Sequence, residues 1–270
     1  MGFDVLTKDE VEKFQENGYL IVDFNIDPEL IDTIVREVNP YYDPIFLANP
    51  TFPVRIQDAW RYIDAVRELA LLDNVQVALE QLFGRKPLPF QTLNFPIGTT
   101  QLPHSDTIHF NSIPSGYMAG VWIALEDITE ENGPLIYYKR SHLEREYNMQ
   151  DLGLEAGTEN YNAYELAIQA LIEKRNFEPV LGLIKKGEAL IWHANLLHGG
   201  SQQKDVSLSR HSQVTHYYFE NCEYYSPLRS TSEKMEIRNP EWINFYQVST
   251  LKKIYNAINL YSLLRLFKKR

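Results

Sequence analysis

The sequence lacks several features that define whole classes of protein. Cys222 is the single cysteine, so no intrachain disulfide can form; this mildly favours a reducing compartment, and we expect a cytoplasmic protein. No run of about 18 apolar residues exists, so no membrane span is expected, and residues 1–7 lack the pattern of a signal peptide. Lysine and arginine are outnumbered 26 to 36 by aspartate and glutamate. The net charge of −10 argues against nucleic acid as the main partner.

The apolar patterns predict helices first and many short strands afterwards. Helical signals dominate residues 1–86, including a capping box at Thr7–Glu10 and a periodic stretch over 65–83 that is closed by Gly84. Further along, runs rich in β-branched and aromatic residues alternate with turn residues. We expect strands at 19–22, 90–95, 117–125, 135–138, 189–193 and 213–219. This order is typical of a β-sandwich or jelly roll that is braced by helices.

The length of 270 residues favours one domain with decorations. We expect a helical N-terminal support over 1–86, a jelly-roll core over 87–220 and a helical C-terminal extension over 221–270. An insertion at about 144–178, partly helical, is expected to cover the mouth of the core. The segment 251–270 alternates aliphatic and basic residues. It is predicted to be a helix packed on the sheet, the alternative being surface association with a membrane; the sequence does not indicate an oligomeric state.

The most informative motif is His104-Ser105-Asp106, with His198 and Arg210 far downstream. Side chains at i and i+2 of a strand point the same way, so the imidazole and the carboxylate should converge while Ser105 faces away. A second imidazole from His198 would complete two histidines and one carboxylate, the facial triad of non-haem Fe(II) oxygenases. Such a triad leaves coordination positions open for a dicarboxylic co-substrate and O₂. Arg210 would then bind the far carboxylate of that co-substrate.

The remaining histidines leave alternatives open. His193 is the rival third ligand, but its odd spacing from His198 places it on the other face of an alternating strand. His109 is expected either to line a substrate pocket or to be a packed histidine. Structural roles are expected for His142, His211 and His216.

Several ordered motifs around these residues resemble the phytanoyl-CoA dioxygenase family. They are Gly120–Asp127, Asn132-Gly133-Pro134-Leu135, Ser141-His142, Gly187–His193, His198-Gly199-Gly200-Ser201 and Arg210. The opening segment from Leu6 to Val22 also fits the start of the family pattern. The resemblance is strongest over about residues 90–219, and roughly the last fifty residues lie outside it.

The resemblance implies a mainly β fold with flanking helices and a double-stranded β-helix core, a jelly roll of the cupin-like kind. It implies an Fe(II) site at His104, Asp106 and His198, which are also the catalytic residues, and 2-oxoglutarate as co-substrate. Arg210 is implied as the 2-oxoglutarate clamp. Further cofactor contacts are expected from Ser201, which would donate to the same carboxylate, from Trp122 as a pocket wall, and from Asn94 and Thr92.

The implied reaction is hydroxylation of a small organic molecule with O₂, releasing succinate and CO₂. Related iron halogenases lack the carboxylate ligand, so Asp106 favours hydroxylation over halogenation. Two alternatives stay open: a non-catalytic jelly-roll protein that binds metal or ligand, and a cupin-type metalloenzyme that does not use 2-oxoglutarate. Many family members carry glycine where this chain has Arg140, so we expect the turn before Ser141 to differ.

Overall fold

The computed structural model describes residues 4–43, 47 and 54–244. Its α-helices are α1 (Lys8–Asn17), α2 (Pro28–Val38), α3 (Asp64–Ala70), α4 (Asp73–Phe83) and α5 (Tyr161–Arg175). Its strands are β1 (Tyr19–Asp23), β2 (Ile56–Gln57), β3 (Pro87–Phe95), β4 (Asn111–Ile113), β5 (Met118–Ala124), β6 (Leu135–Tyr138), β7 (Pro179–Leu181), β8 (Glu188–His193), β9 (His198–Gly200), β10 (Ser212–Phe219) and β11 (Glu223–Tyr225). No helix among these residues is long and apolar enough to cross a membrane.

The helices begin and end where the sequence signals lie. Thr7 and Glu10 form the capping box of α1, and Gly18 ends that helix in the left-handed conformation. The predicted helix over 65–83 is two helices, because α3 ends at Ala70 and α4 begins at Asp73. A bend at this point lets the apolar faces of both helices pack against the same sheet.

The strands form a jelly roll, which confirms the predicted fold class. The main sheet has the order β1-β8-β5-β10-β3-β2, and a smaller sheet has the order β7-β6-β9. One apolar core lies between the helices and the main sheet, with Val121 and Ile191 among its members. A second core joins the other face of the main sheet, including Trp122 and Leu190, to Tyr137 of the smaller sheet.

Alternation along the main sheet assigns each residue to one of these two faces. Gln213 lies opposite Asn94 and Val214 opposite Leu93 across the β10–β3 pair. Val214 and Leu93 belong to the inter-sheet core, so Gln213 and Asn94 face the helices. We call these two surfaces the cavity face and the helix face.

Two parts of the chain differ from the sequence layout. Strand β1 lies within residues 1–86, the expected helical support, yet it is an edge strand of the main sheet and pairs with β8. Residues 221–244 hold β11 and a short 3₁₀ turn at Pro227–Arg229, and no α-helix among the residues described there. The predicted basic helix over 251–270 lies outside the described residues.

The turn before Ser141 keeps a glycine-like shape without glycine. Arg140 adopts a left-handed conformation with φ of 67°, and its backbone N–H donates to the carbonyl of Asn17 at 3.0 Å. An L-residue takes this conformation at a cost. Arg140 thus takes a conformation that glycine adopts more readily, while the difference from other family members stays a prediction.

Candidate metal centre and its cavity

His104 and His198 are held side by side by backbone hydrogen bonds. Each residue's N–H donates to the other's carbonyl at 2.9 Å, which forms an isolated antiparallel bridge at the end of β9. The two imidazole rings lie with centroids 4.6 Å apart. The pairing of remote segments thus brings together two histidines that are far apart in sequence.

Hydrogen bonds on the outer ring nitrogens orient both imidazoles. His104 Nδ1 donates to the carbonyl of Leu102 at 3.0 Å, and His198 Nδ1 donates to the carbonyl of Leu196 at 2.9 Å. A carbonyl can only accept, so in each neutral ring the Nε2 atom carries the free lone pair. Each Nε2 lies 3.8 Å from a carboxylate oxygen of Asp106.

Asp106 reaches the site from a turn and not from a strand. Ser105 caps a short 3₁₀ turn, Asp106–Ile108, by accepting from the Thr107 N–H. The strand-spacing argument for this motif was therefore wrong in detail, because the chain leaves the bridge directly after His104. Ser105 still faces away from the site, as expected, and its hydroxyl donates to the carbonyl of Ala194 at 3.0 Å.

A tryptophan fixes the carboxylate. The indole N–H of Trp192 donates to Asp106 Oδ2 at 2.8 Å. Trp192 lies opposite Gly120 on the neighbouring strand, where an added Cβ would be 2.2 Å from the indole ring. Glycine at that position is therefore required for the indole to reach the carboxylate.

The donor set fits a divalent metal ion. One ligand atom from each of His104, Asp106 and His198 lies within 4.8 Å of the other two, and all three residues are buried. Burial alone would raise the pKa of Asp106, but the surrounding imidazoles and the indole N–H outweigh it and lower the pKa to about 2. Burial lowers the pKa of His104 to about 3. At neutral pH the site thus offers an ionised carboxylate and an unprotonated imidazole, the forms that bind metal.

The three residues line a cavity of about 370 Å³. Its other walls come from the cavity face of the main sheet, from the loop before His104 and from the insertion, which contributes Thr158 and Tyr161. The insertion therefore forms part of the cavity wall. Asp106 is the one acidic side chain among the described lining residues, which also include two arginines, Arg55 and Arg210.

Arg210 is a buried cation that faces the cavity and forms no ion pair within the described residues, although Glu126 acts on it at longer range. Its side chain is 4% exposed, and the described residues place no carboxylate in ion-pair contact with it. The guanidinium donates to the carbonyl of Ile97 at 3.2 Å and lies over the rings of Trp122 and Phe95, at 5.4 and 5.6 Å from their centroids. Burial lowers its pKa to about 10, so it stays charged at neutral pH. A buried charge of this kind favours an anionic ligand.

Besides Arg210, four of the predicted site residues line the cavity, and three do not. The ligands His104, Asp106 and His198 and the wall residue Trp122 all line it. Thr92 and Asn94 lie on the helix face, and Asn94 Nδ2 donates to Gln213 Oε1 at 3.1 Å. Ser201 is not among the lining residues, and its hydroxyl donates to the carbonyl of Pro134 at 2.6 Å. The sequence prediction had the parity of β3 reversed by one residue: Gln91, Leu93 and Phe95 point inward.

The other histidines differ in whether they line the cavity. His193, the rival ligand, lies on the helix face, where its ring stacks on Phe83 at 6.1 Å. The Nε2 of His142 donates to the carbonyl of Gln15 at 3.0 Å, a structural role. His211 lies outside the cavity lining, whereas His109 lines it.

His216 is the residue that sequence reasoning missed. It lines the cavity, and its Nε2 lies 3.7 Å from Asp106 Oδ2. Its Nδ1 is held by Gln91 Oε1 at 3.0 Å, and burial lowers its pKa to about 4. Parity gives only a partial signal: Val214 and His216 share one face of β10, and Arg210, two residues before that strand, has the same parity.

A jelly roll that presents two imidazoles and one carboxylate to an open cavity defines an enzyme of the non-haem metal oxygenase class. The family described as Phytanoyl-CoA dioxygenase (PhyH) matches residues 3–212, so the chain belongs to this family. The recognised resemblance and the predicted enzyme class are thereby confirmed. The chain is 23% identical to "Phytanoyl-CoA dioxygenase domain-containing protein 1" of Danio rerio, over 85% of this chain and 97% of that protein.

Solved structures support the fold. The carbocyclase SnoK from nogalamycin biosynthesis matches with a TM-score of 0.66 and 16% identity, over 89% of this chain and 96% of that one. The epimerase SnoN, solved with Fe3+, alpha ketoglutarate and nogalamycin RO, has a TM-score of 0.64 and 18% identity over the same shares. EctD from S. alaskensis, solved with 2-oxoglutarate and 5-hydroxyectoine, has a TM-score of 0.63 and 14% identity over 92% of this chain and 89% of that one.

Proposed function

We propose that the protein hydroxylates a small organic molecule as an Fe(II)- and 2-oxoglutarate-dependent dioxygenase. The observation that carries this is the meeting of His104, Asp106 and His198 beside a buried, unpaired Arg210 in one cavity. The three ligands suit iron, and the guanidinium suits the distal carboxylate of 2-oxoglutarate. SnoN and EctD, which share the fold, were solved with iron or with this co-substrate.

When bound, iron and 2-oxoglutarate supply the oxidising chemistry that inserts one atom of O₂ into a C–H bond and releases succinate and CO₂. The protein holds and orients these groups. Arg210 would bind the distal carboxylate bidentately, with Trp122 and Phe95 excluding water from around the ion pair. Asp106 occupies the position that iron halogenases leave without a carboxylate, which favours hydroxylation as the outcome.

The supporting shell keeps the ligands ready for metal. Carbonyl acceptors at Leu102 and Leu196 hold both imidazoles in the tautomer with a free Nε2. Trp192 holds one oxygen of Asp106 and leaves the other oxygen free of the indole. Preorganised ligands bind metal without paying the cost of ordering side chains at the moment of binding.

The same geometry bears on the two alternatives. A cupin-type metalloenzyme that does not use 2-oxoglutarate would gain nothing from Arg210, a cation that is costly to bury without an anion. A purely structural metal site would be closed, whereas this one opens into a cavity. A small-molecule substrate and O₂ fit the family, while a cytoplasmic location rests on the single cysteine and remains a prediction.

The test is succinate formation from 2-oxoglutarate under air, with Fe(II) added and omitted. We expect turnover in the wild-type protein and a weak visible absorption band when Fe(II) and 2-oxoglutarate are mixed with it without oxygen. His198→Ala should abolish both signals because it removes a ligand. His193→Ala is the matched control, since this rival histidine lies on the helix face. No band and no succinate from the folded wild-type protein would refute the proposal.

A further inference from the structure

We propose that the substrate carries an anionic group, a carboxylate or a phosphate, and that Arg55 binds it at the end of the cavity lined by His109 and His216. The inference rests on the proposed function and deepens it by naming the substrate class. Three observations support it: the direction of the Arg55 side chain, the charge of its surroundings and the assignment of Arg210 to 2-oxoglutarate.

Strand pairing directs Arg55 into the cavity. In the β2–β3 pair, Gln57 lies opposite Leu93, and both residues line the cavity. Arg55 is two residues before Gln57, so it shares the inward parity of that edge. It is itself a lining residue and is exposed, which places it where the cavity opens to solvent.

The groups that line this end of the cavity are cationic or neutral, and Glu165, which hydrogen-bonds to Tyr161, lies behind this lining. The charge of Arg55 contributes to the lowered pKa values of His109 and His216, for which burial is the largest cause. Arg238 adds a second positive charge, because its guanidinium lies 4.7 Å from the ring centroid of Phe110, a lining residue. No carboxylate of the described residues pairs with Arg55. The one acidic side chain of the described lining, Asp106, is assigned to the metal.

The two lining arginines have different surroundings and therefore different roles. Arg210 is buried against Trp122 and Phe95 and is assigned to 2-oxoglutarate. The charge of Arg55 instead acts on His109 and His216. A second guanidinium with no partner is left over once the co-substrate is bound, and it is suited to a second oxyanion.

The volume of the cavity also limits the size of the substrate that carries the anionic group. Its volume of about 370 Å³ must hold the metal and 2-oxoglutarate as well. Phe110, Tyr161 and Leu228 supply apolar and aromatic wall at this end. We therefore assign the substrate to small organic acids or phosphate monoesters with an aliphatic or aromatic body.

The experiment measures binding and not turnover. Fe(II) and saturating 2-oxoglutarate are added without oxygen, so that Arg210 is occupied, and the visible band is followed during titration with matched probes. The anionic probes are benzoate, phenylacetate, hexanoate and phenyl phosphate, and the neutral probes are the three corresponding amides. The proteins are wild type, Arg55→Gln and Arg55→Lys, with Arg36→Gln as the control. Arg36 is an exposed arginine of α2 that pairs with Glu29 and does not line the cavity.

We expect at least one acid to shift the band while its amide does not. Arg55→Gln should lower the affinity for that acid about tenfold to a hundredfold, the effect of losing a charge-assisted hydrogen-bond pair. Arg55→Lys should restore part of the affinity, and Arg36→Gln should behave as wild type. The inference is overturned if no acid is preferred over its amide, or if Arg55→Gln binds the acids as wild type does. Loss of the 2-oxoglutarate band in wild type would instead refute the proposed function, so the two failures are distinguishable.

Discussion

The two sides of the main sheet have the same types of buried polar side chain in different roles. Each side of the sheet has a buried arginine and a buried tryptophan that donates its indole N–H to an aspartate, and on the helix side both belong to segments that pack on the sheet. On the cavity face, Trp192 donates to Asp106 at 2.8 Å; on the helix face, Trp60 donates to Asp58 at 3.2 Å. Burial and polarity are thus equal on the two sides and do not mark the functional one.

The difference lies in whether the buried positive charge is already paired with a carboxylate of the protein. On the helix face, Arg67 pairs with Asp64 at 2.9 Å and donates to the carbonyl of Trp60. On the cavity face, Arg210 has no acidic partner among the described residues, and open volume lies in front of it. Spare charge that faces a cavity indicates a ligand, whereas satisfied charge indicates structure.

The largest expected effect comes from exchanging each arginine for methionine. Arg210→Met should weaken 2-oxoglutarate binding about a hundredfold, because a desolvated ion pair is lost. It should leave the free energy of unfolding equal or higher, since an unpaired buried charge is removed. Arg67→Met should do the reverse: 2-oxoglutarate binding unchanged and the protein destabilised by about 2 kcal/mol or more. Titration of the visible band and urea unfolding measure the two quantities.

The distinction between the faces fails if Arg210→Met destabilises the protein as much as Arg67→Met does while 2-oxoglutarate binding persists. Arg210 would then be a structural residue like its counterpart. The two variants must be compared in the same apoprotein, because bound ligand raises apparent stability by mass action.

A smaller effect is expected from the tryptophan pair. Trp192→Phe removes the N–H that holds Asp106 Oδ2, so Fe(II) affinity should fall about tenfold, the usual effect of losing a partner of a metal ligand. Trp60→Phe removes the equivalent bond to Asp58 and should leave Fe(II) affinity unchanged while lowering stability. Anaerobic Fe(II) titration is the measurement. Equal Fe(II) affinity in the two variants would show that the indole bond does not support the metal site.

Alternation separated the two candidates for the third ligand but misplaced the neighbours of the site. His198 was preferred to His193 by parity, and the structure has His193 on the helix face. The same reasoning failed for Thr92 and Asn94, because it fixes which residues share a face and not which face is inside. That choice depends on pairing with β10, a contact across more than a hundred residues that no local pattern reports.

Arg55 and His216 were missed for related reasons. Arg55 lies in a proline-rich stretch that reads as loop, and its direction is set by the two-residue strand β2 against the edge of β3. His216 was judged as an isolated histidine, since nothing local to it marks a site. Its proximity to Asp106, at 3.7 Å, arises only when β10 lies beside the turn that carries the carboxylate. Side chains that contribute to a site through tertiary contacts alone leave a weak signal in one sequence.

The smallest effect is expected at Thr92, which the sequence had placed near the co-substrate. Its side chain is fully buried on the helix face, and its hydroxyl has no hydrogen-bond partner among the described residues. Thr92→Val keeps the shape and removes a polar atom that is costly to bury, so the free energy of unfolding should stay equal or rise by up to about 1 kcal/mol. The 2-oxoglutarate affinity should not change. A fall in that affinity of tenfold or more would mean that Thr92 acts on the cavity, and the division of the sheet into a structural helix face and a ligand-binding cavity face would no longer hold.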